Sequence, residues 1–372
     1  MCSSAMTSRV IVYYHDPIEV DPSSSWTGLC SSLTQAEYQD IERVTSPRIR
    51  ELFEYAMPDV VIAADGEPVV SIEQTQMNPS GHNIPQRFSF QVRAAEVGVP
   101  SILYYPEFSR RTFSDPNVRY LQLRVPLAQK RLSAIYDIPA LSVFWPTDEA
   151  TKLPDTRQCA HKDIANVVRA IVDNAGKKTM LRQIDEVVKT SENMDRIVSK
   201  YSRQRRSRYR PNPSVRTFFP NGFPTSLTPT GHAIDPPMTC QLQQTEEFLD
   251  SISSASSDWR STKVAMTKRK LTLVFTGTAN KSKTDSEHPW PGYLTLLDIL
   301  YLRTDFGRSP SQRIANLVYR LPVKLSTFLF RVNTVPPPTA AYIVDTFADL
   351  IILEGGVVPG RPVRGRTGAT PI

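Results

Sequence analysis

One stretch constrains the fold of this chain more than any other: Pro58 to Pro106. It opens Pro-Asp-Val-Val-Ile-Ala-Ala, turns at Asp65-Gly66-Glu67 and runs back through Pro-Val-Val-Ser-Ile-Glu-Gln-Thr-Gln. Two β-branched runs of strand length on either side of Asp-Gly predict a hairpin, because that dipeptide accepts the positive φ angles of a tight hairpin turn. A polar loop from Asn78 to Pro85 follows, then a helical pattern from Gln86 to Val97 and a short apolar run from Val99 to Tyr105. Asp59 stands at the entrance of the first strand and Glu73 at the exit of the second. In an antiparallel pair those positions fall side by side at one end of the sheet. Two carboxylates so placed form an oxygen donor set for a hard divalent cation. The plainer reading is that Asp59 simply begins a strand and Glu73 ends on a solvated face.

Length and charge set the outer limits. A chain of 372 residues has room for two domains or three. A net charge of +7 favours an anionic partner, although the excess is spread over the whole length. Cys2, Cys30, Cys159 and Cys240 are scattered without CxxC spacing, which predicts free thiols of a reducing compartment. No secretory leader and no membrane-length apolar run is legible, so a cytoplasmic protein with no membrane partner is expected.

Along the chain, Val10 to Tyr14 reads as a short strand ended by His15-Asp16-Pro17, and residues 18–36 as loop. Ser46 and Pro47 form a helix start, with Ile49, Leu52, Phe53 and Ala56 at helical spacing. Leu121 to Val125 and Ala140 to Trp145 read as strands, and Asp163 to Ala175 as an amphipathic helix with Gly176 past its end. A second helix carries Met180, Leu181, Ile184, Val187 and Val188 on one side. In the last third, Leu271 to Phe275 is strand-like, Tyr293 to Arg303 helical, and Ile314 to Leu321 ambiguous. Ala341 to Leu353 reads as helix running into strand, and the basic, glycine-containing tail from Pro359 as disordered.

The order helix, strand, turn, strand, helix, strand, with Pro58-Asp59 opening one strand and Glu73 closing the next, resembles the PD-(D/E)xK nuclease superfamily. The likeness covers roughly residues 44–106 and leaves the C-terminal third aside. It implies a restriction-endonuclease-like core and Mg²⁺-dependent cleavage of double-stranded DNA, with Asp59 and Glu73 holding the metal. A homodimer is expected, because cutting both strands takes two sites. The superfamily's lysine falls on Thr75, flanked by Gln74 and Gln76, and here the pattern departs. Water activation then rests on the cation alone or on a cationic group brought in from the next helix, Arg87 or Arg93. In a third reading it is lost, and the domain is an inactive DNA-binding component of a defence or repair system. Thr75, Gln76 and Arg87 are the candidates for the remaining catalytic roles.

Other residues point to nucleic acid. His82, Gln86 and Arg87 follow the metal pair and are candidates to hold the scissile phosphate, with His82 a candidate proton carrier; the bland alternative is a polar surface loop. Lys200, Arg203, Arg205, Arg206, Arg208 and Arg210 lie in a window without an acid, interleaved with Tyr201 and Tyr209, and read as a phosphate-binding patch or a solvated helix end. Asp285-Ser-Glu-His288-Pro-Trp-Pro-Gly292 is either a second site or the anchor of a helix start. No P-loop, GxGxxG, HExxH or GxSxG occurs, which argues against nucleotide-driven, dinucleotide and serine-hydrolase chemistry. The expected architecture is α/β, a mixed sheet flanked by helices, with a C-terminal α+β region. Residues 1–175 would form the nuclease domain, 176–240 a basic helix and extended linker, and 241–372 a recognition or dimerisation domain.

Overall fold

The computed structural model describes residues 9–54, 57–77, 83–110, 118–120, 124–197, 239–252, 259–276, 315–332 and 348–360. His82, the window from Lys200 to Arg210, the segment Asp285–Gly292 and the expected helix at 293–303 lie outside them. The chain forms two compact units. Both are mixed sheets carrying helices, so the class is α/β.

The first unit is built on β1 (Val10–Tyr14), β2 (Glu37–Asp40), β3 (Val60–Ala64), β4 (Glu67–Gln74), β5 (Ser101–Pro106) and β8 (Ala140–Trp145), in the order β2-β1-β3-β4-β5-β8. β6 (Phe108–Ser109) and β7 (Arg119–Tyr120) form a separate two-stranded ribbon. β3 pairs antiparallel with both β1 and β4, whereas β5 runs parallel to β4 and β8 parallel to β5. The hairpin predicted at Asp65-Gly66 is present, with φ of 52° and 84° at the two turn residues. Both angles are positive, as a turn matching the strand twist requires.

Helices α1 (Pro47–Arg50), α2 (Asn83–Glu96), α3 (Arg124–Tyr136), α4 (Lys162–Asp173) and α5 (Met180–Thr190) follow in chain order. Residues up to Ser89 of α2 group with the second unit, the rest with the first. On one face of the sheet Ile11, Tyr13, Val61 and Ala63 meet Ile41, Val44, Ile49, Leu52, Ala94 and Val99. Each Ile, Leu or Val among them, fully buried, contributes roughly 1.5–3 kcal/mol. The apolar stripe of α4, Ile164, Val167, Val168 and Ile171, is buried as its spacing predicted.

Three elements differ from expectation. The helix begun at Pro47 gives way to a 3₁₀ turn at Glu51–Glu54. Arg93 Nε donates to the Glu51 carbonyl at 2.7 Å, taking an acceptor that a continuing α-helix would need. The strand expected at Leu121–Val125 is not formed at its C-terminal end, where α3 already begins at Arg124. Pro126 in the first turn suits a helix start, and Val125, Ala128, Gln129 and Leu132 bury one face. A strand at Glu37–Asp40 was not anticipated; half-exposed and polar, it carries no periodic signal.

The second unit orders its strands β13-β12-β11-β10-β9. These are β9 (Thr239–Gln244), β10 (Leu271–Thr276), β11 (Ala315–Lys324), β12 (Leu350–Glu354) and β13 (Gly356–Pro359). Among the described residues it also carries helices α6 (Thr245–Ser251), α7 (Trp259–Thr267) and α8 (Leu325–Val332). From Ala315 on, the ambiguous run is thus strand β11, buried along most of its length. Phe248, Leu249, Met266, Val274, Val318 and Leu350 form its core.

Candidate metal centre at one end of the first sheet

At this end of the first sheet the ladder joins Tyr14 to Val60 and Val60 to Ile72. One step further out stand His15, Asp59 and Glu73. The backbone ladder continues there, since His15 N donates to the Asp59 carbonyl at 2.9 Å. Asp59 uses its side chain as well: Oδ2 accepts the Gln74 amide at 2.7 Å, tying the start of β3 to the end of β4. Asp59 and Glu73 are each half-buried. Side chains alternate along a strand, so Asp59 and Glu73 share the face of Val61 and Ser71, a register pair. The topology therefore places the two carboxylates on one face at one end, as the hairpin pattern required.

The other candidates divide. Thr75, in the lysine place, donates its amide to the Tyr104 carbonyl at 2.9 Å and receives the Met77 amide on Oγ1 at 3.2 Å. It ends the strand and turns the chain outwards. Gln76 is exposed and Arg87 is half-buried on α2. Arg93 is a structural cation: Glu54 lies 2.8 Å and Glu96 3.6 Å from its guanidinium. His15 is a neighbour of Asp59 that sequence reasoning left as a strand terminator; only the antiparallel pairing of β1 with β3, a non-local event, brings it there.

The opposite face under the same sheet end is aromatic and closed. Gln74, register partner of Tyr104, accepts the Trp26 indole N–H at 3.2 Å. Tyr104 stacks on Trp145 with ring centroids 5.0 Å apart and shares a 2.8 Å hydrogen bond with His161 Nδ1. Burial pushes the Tyr104 hydroxyl well above its ordinary range, with Asp163 and Asp155 reinforcing it. Burial pulls His161 below its usual value, against the opposing pull of Asp155. Both groups are thereby held neutral, which suits a packed support for the strand ends.

Among the described residues no group of three or more His, Cys, Asp and Glu side chains converges on a point. Two carboxylates on one rung still fit Mg²⁺, which keeps several waters and takes one or two carboxylates plus substrate phosphate oxygens. Of the cysteines, Cys30 is buried and Cys159 exposed, both as free thiols. No helix among the described residues is long and apolar enough to cross a membrane. No family model, no curated protein and no solved structure matches this chain.

Proposed function

We propose that the first unit is a Mg²⁺-dependent endonuclease acting on double-stranded DNA, with a restriction-endonuclease-like core and Asp59 and Glu73 as the cation-holding pair. The observation that carries this reading is the placement of those two acids on one face at the same end of the β3–β4 pair, with α2 leading on to a parallel β5. A bound cation would polarise the phosphoryl group and lower the pKa of its water. Asp59 is fixed for that task by the Gln74 amide on Oδ2. Gln76 and Thr75 are left to contact the phosphate and to position water, and the enzyme would act as a homodimer.

The threonine at the lysine place supports a second reading, a DNA-binding component without cleavage. Supercoiled plasmid incubated with Mg²⁺, and separately with EDTA, distinguishes the two. Nicked or linear product that depends on Mg²⁺ supports the nuclease; binding in gel shift without any product supports the inactive component.

A further inference from the structure

The segment leaving β5, Glu107 to Arg110, gathers cations that the metal pair does not use. Glu107 is 1% exposed, and its Oε2 lies 3.0 Å from Arg196 Nη2. A buried carboxylate fixes its counter-charge firmly, yet Arg196 keeps 48% of its side chain in solvent. One residue on, the Phe108 ring receives Lys152 Nζ at 4.6 Å from its centroid, a cation–π contact. Lys152 has a φ of 61°, a conformation that L residues other than Asn, Asp and Gly seldom adopt. The turn that imposes it is rigid: Asp148 Oδ1 accepts the amides of Ala150 at 3.0 Å and Thr151 at 2.6 Å. That use occupies Asp148 with the backbone, while Glu149 remains exposed on the same turn.

Arg110 completes the group. Its amide donates to the Lys152 carbonyl at 3.0 Å, locking the turn to the segment. Its Nε–H is buried and meets no acceptor among the described residues. A buried donor left unpaired costs roughly 1–3 kcal/mol, a cost that an anionic oxygen arriving from outside removes. β4, β5 and β8 run parallel, so this segment lies past the same strand ends as Glu73. Ligands of such sheets bind beyond the carboxyl ends of the strands.

We infer that Arg110, Lys152 and Arg196 form a preset contact for the phosphate backbone of nucleic acid, beside the metal pair. The inference shares the duplex substrate with the nuclease reading but not its chemistry. Removing Arg196 would strand the Glu107 carboxylate, so the informative variants are Arg110→Gln, Lys152→Asn, which tolerates the positive φ, and Lys152→Gly, which favours it.

The test is a salt titration of the full-length protein with a short fluorescent duplex, in EDTA so that no cleavage intervenes. Each variant is expected to melt like wild type and to lower the slope of log affinity against log salt by about 0.9, the effect of one lost phosphate contact. Unchanged slopes overturn the cluster and leave the nuclease reading standing. Reduced slopes in a protein whose wild type fails to nick plasmid with Mg²⁺ uphold the cluster and remove the nuclease. Absence of duplex binding by wild type overturns the phosphate contact outright.

Discussion

Two hairpins of this molecule are spelled alike and end differently. In the first unit an aspartate, Asp59, precedes β3, and a positive-φ turn at Asp65-Gly66 leads into β4. In the second unit Asp349 precedes β12, and Gly355, with φ of 92°, leads into β13. Each aspartate ties its strand to a neighbour through a backbone amide at 2.7 Å, Gln74 for Asp59 and Leu317 for Asp349. There the likeness stops. Asp349 is wholly buried, with Arg269 Nη1 at 3.3 Å from its Oδ1, and Arg269 also donates to Asn316 Oδ1 at 3.1 Å. Asn316 in turn donates to Thr245 Oγ1, Thr272 Oγ1 and the Met266 carbonyl. The residue across the sheet decides the rest. The rung after Val60–Ile72 puts Glu73 beside Asp59, whereas the rung after Leu350–Pro359 puts Gly360 beside Asp349. A Cβ on Gly360 would come 1.8 Å from the Ala348 carbonyl oxygen, so no side chain fits there. One hairpin presents a carboxylate pair at a half-open end; the other seals a single carboxylate into a core.

The sharpest break of this comparison is functional. Asp59→Asn and Glu73→Gln should each lower Mg²⁺-dependent cleavage roughly a thousandfold, the rate equivalent of about 4 kcal/mol of charge stabilisation. Duplex binding in EDTA and the melting temperature should stay near wild type. An Asp59→Asn variant that loses its fold but cleaves in proportion to its folded fraction would make Asp59 a scaffold residue like Asp349.

Stability should show the reverse order. Asp349→Ala takes the carboxylate from Arg269 and the acceptor from the buried Leu317 amide and should cost the second unit about 3–5 kcal/mol, read by native-state hydrogen exchange of β11 and β12. Asp59→Ala loses one charge-assisted hydrogen bond and should cost the first unit about 1.5–3 kcal/mol. Equal losses would erase the distinction between site and scaffold.

The cross-strand residue gives a third contrast. Gly360→Ala must displace the Ala348 backbone and should cost about 1–3 kcal/mol through overpacking. Glu73→Ala, at a half-exposed position, should change urea-unfolding stability by only about 0.5 kcal/mol.

The smallest effect concerns the closed face opposite Asp59 and Glu73. His161 in the folded chain binds its proton less well than the ordinary 6.5. As pH falls through that value the unfolded chain takes up a proton that the folded chain refuses, so stability declines from there down to the lower folded value. His161→Gln, which can still hydrogen-bond Tyr104, should lose less melting temperature than wild type between pH 7 and about 5.5. Identical losses would mean that His161 is not held neutral by its surroundings.

Local code made much of this readable in the sequence. The Asp-Gly turn, the β-branched runs around it, the stripe of α4 and the strand at Ala140 follow from φ preference and periodicity, which act within a few residues. The placement of Asp59 and Glu73 at one end of the sheet was legible for the same reason, because a tight hairpin fixes its own register. The rest was decided by contacts between distant segments. The short helix at Pro47 ends where Arg93 takes the Glu51 carbonyl, 42 residues away. His15 reaches Asp59 only because β1 pairs with β3. Lys152 and Arg196 reach the segment Glu107 to Arg110 through a turn and a buried carboxylate that no periodicity announces. The role of Asp349 as a sealed ion-pair partner depended on Arg269 and Gly360 arriving beside it. Propensity and patterning choose the elements, but burial and pairing across the sheet decide which charged groups stay open to chemistry and which become structure.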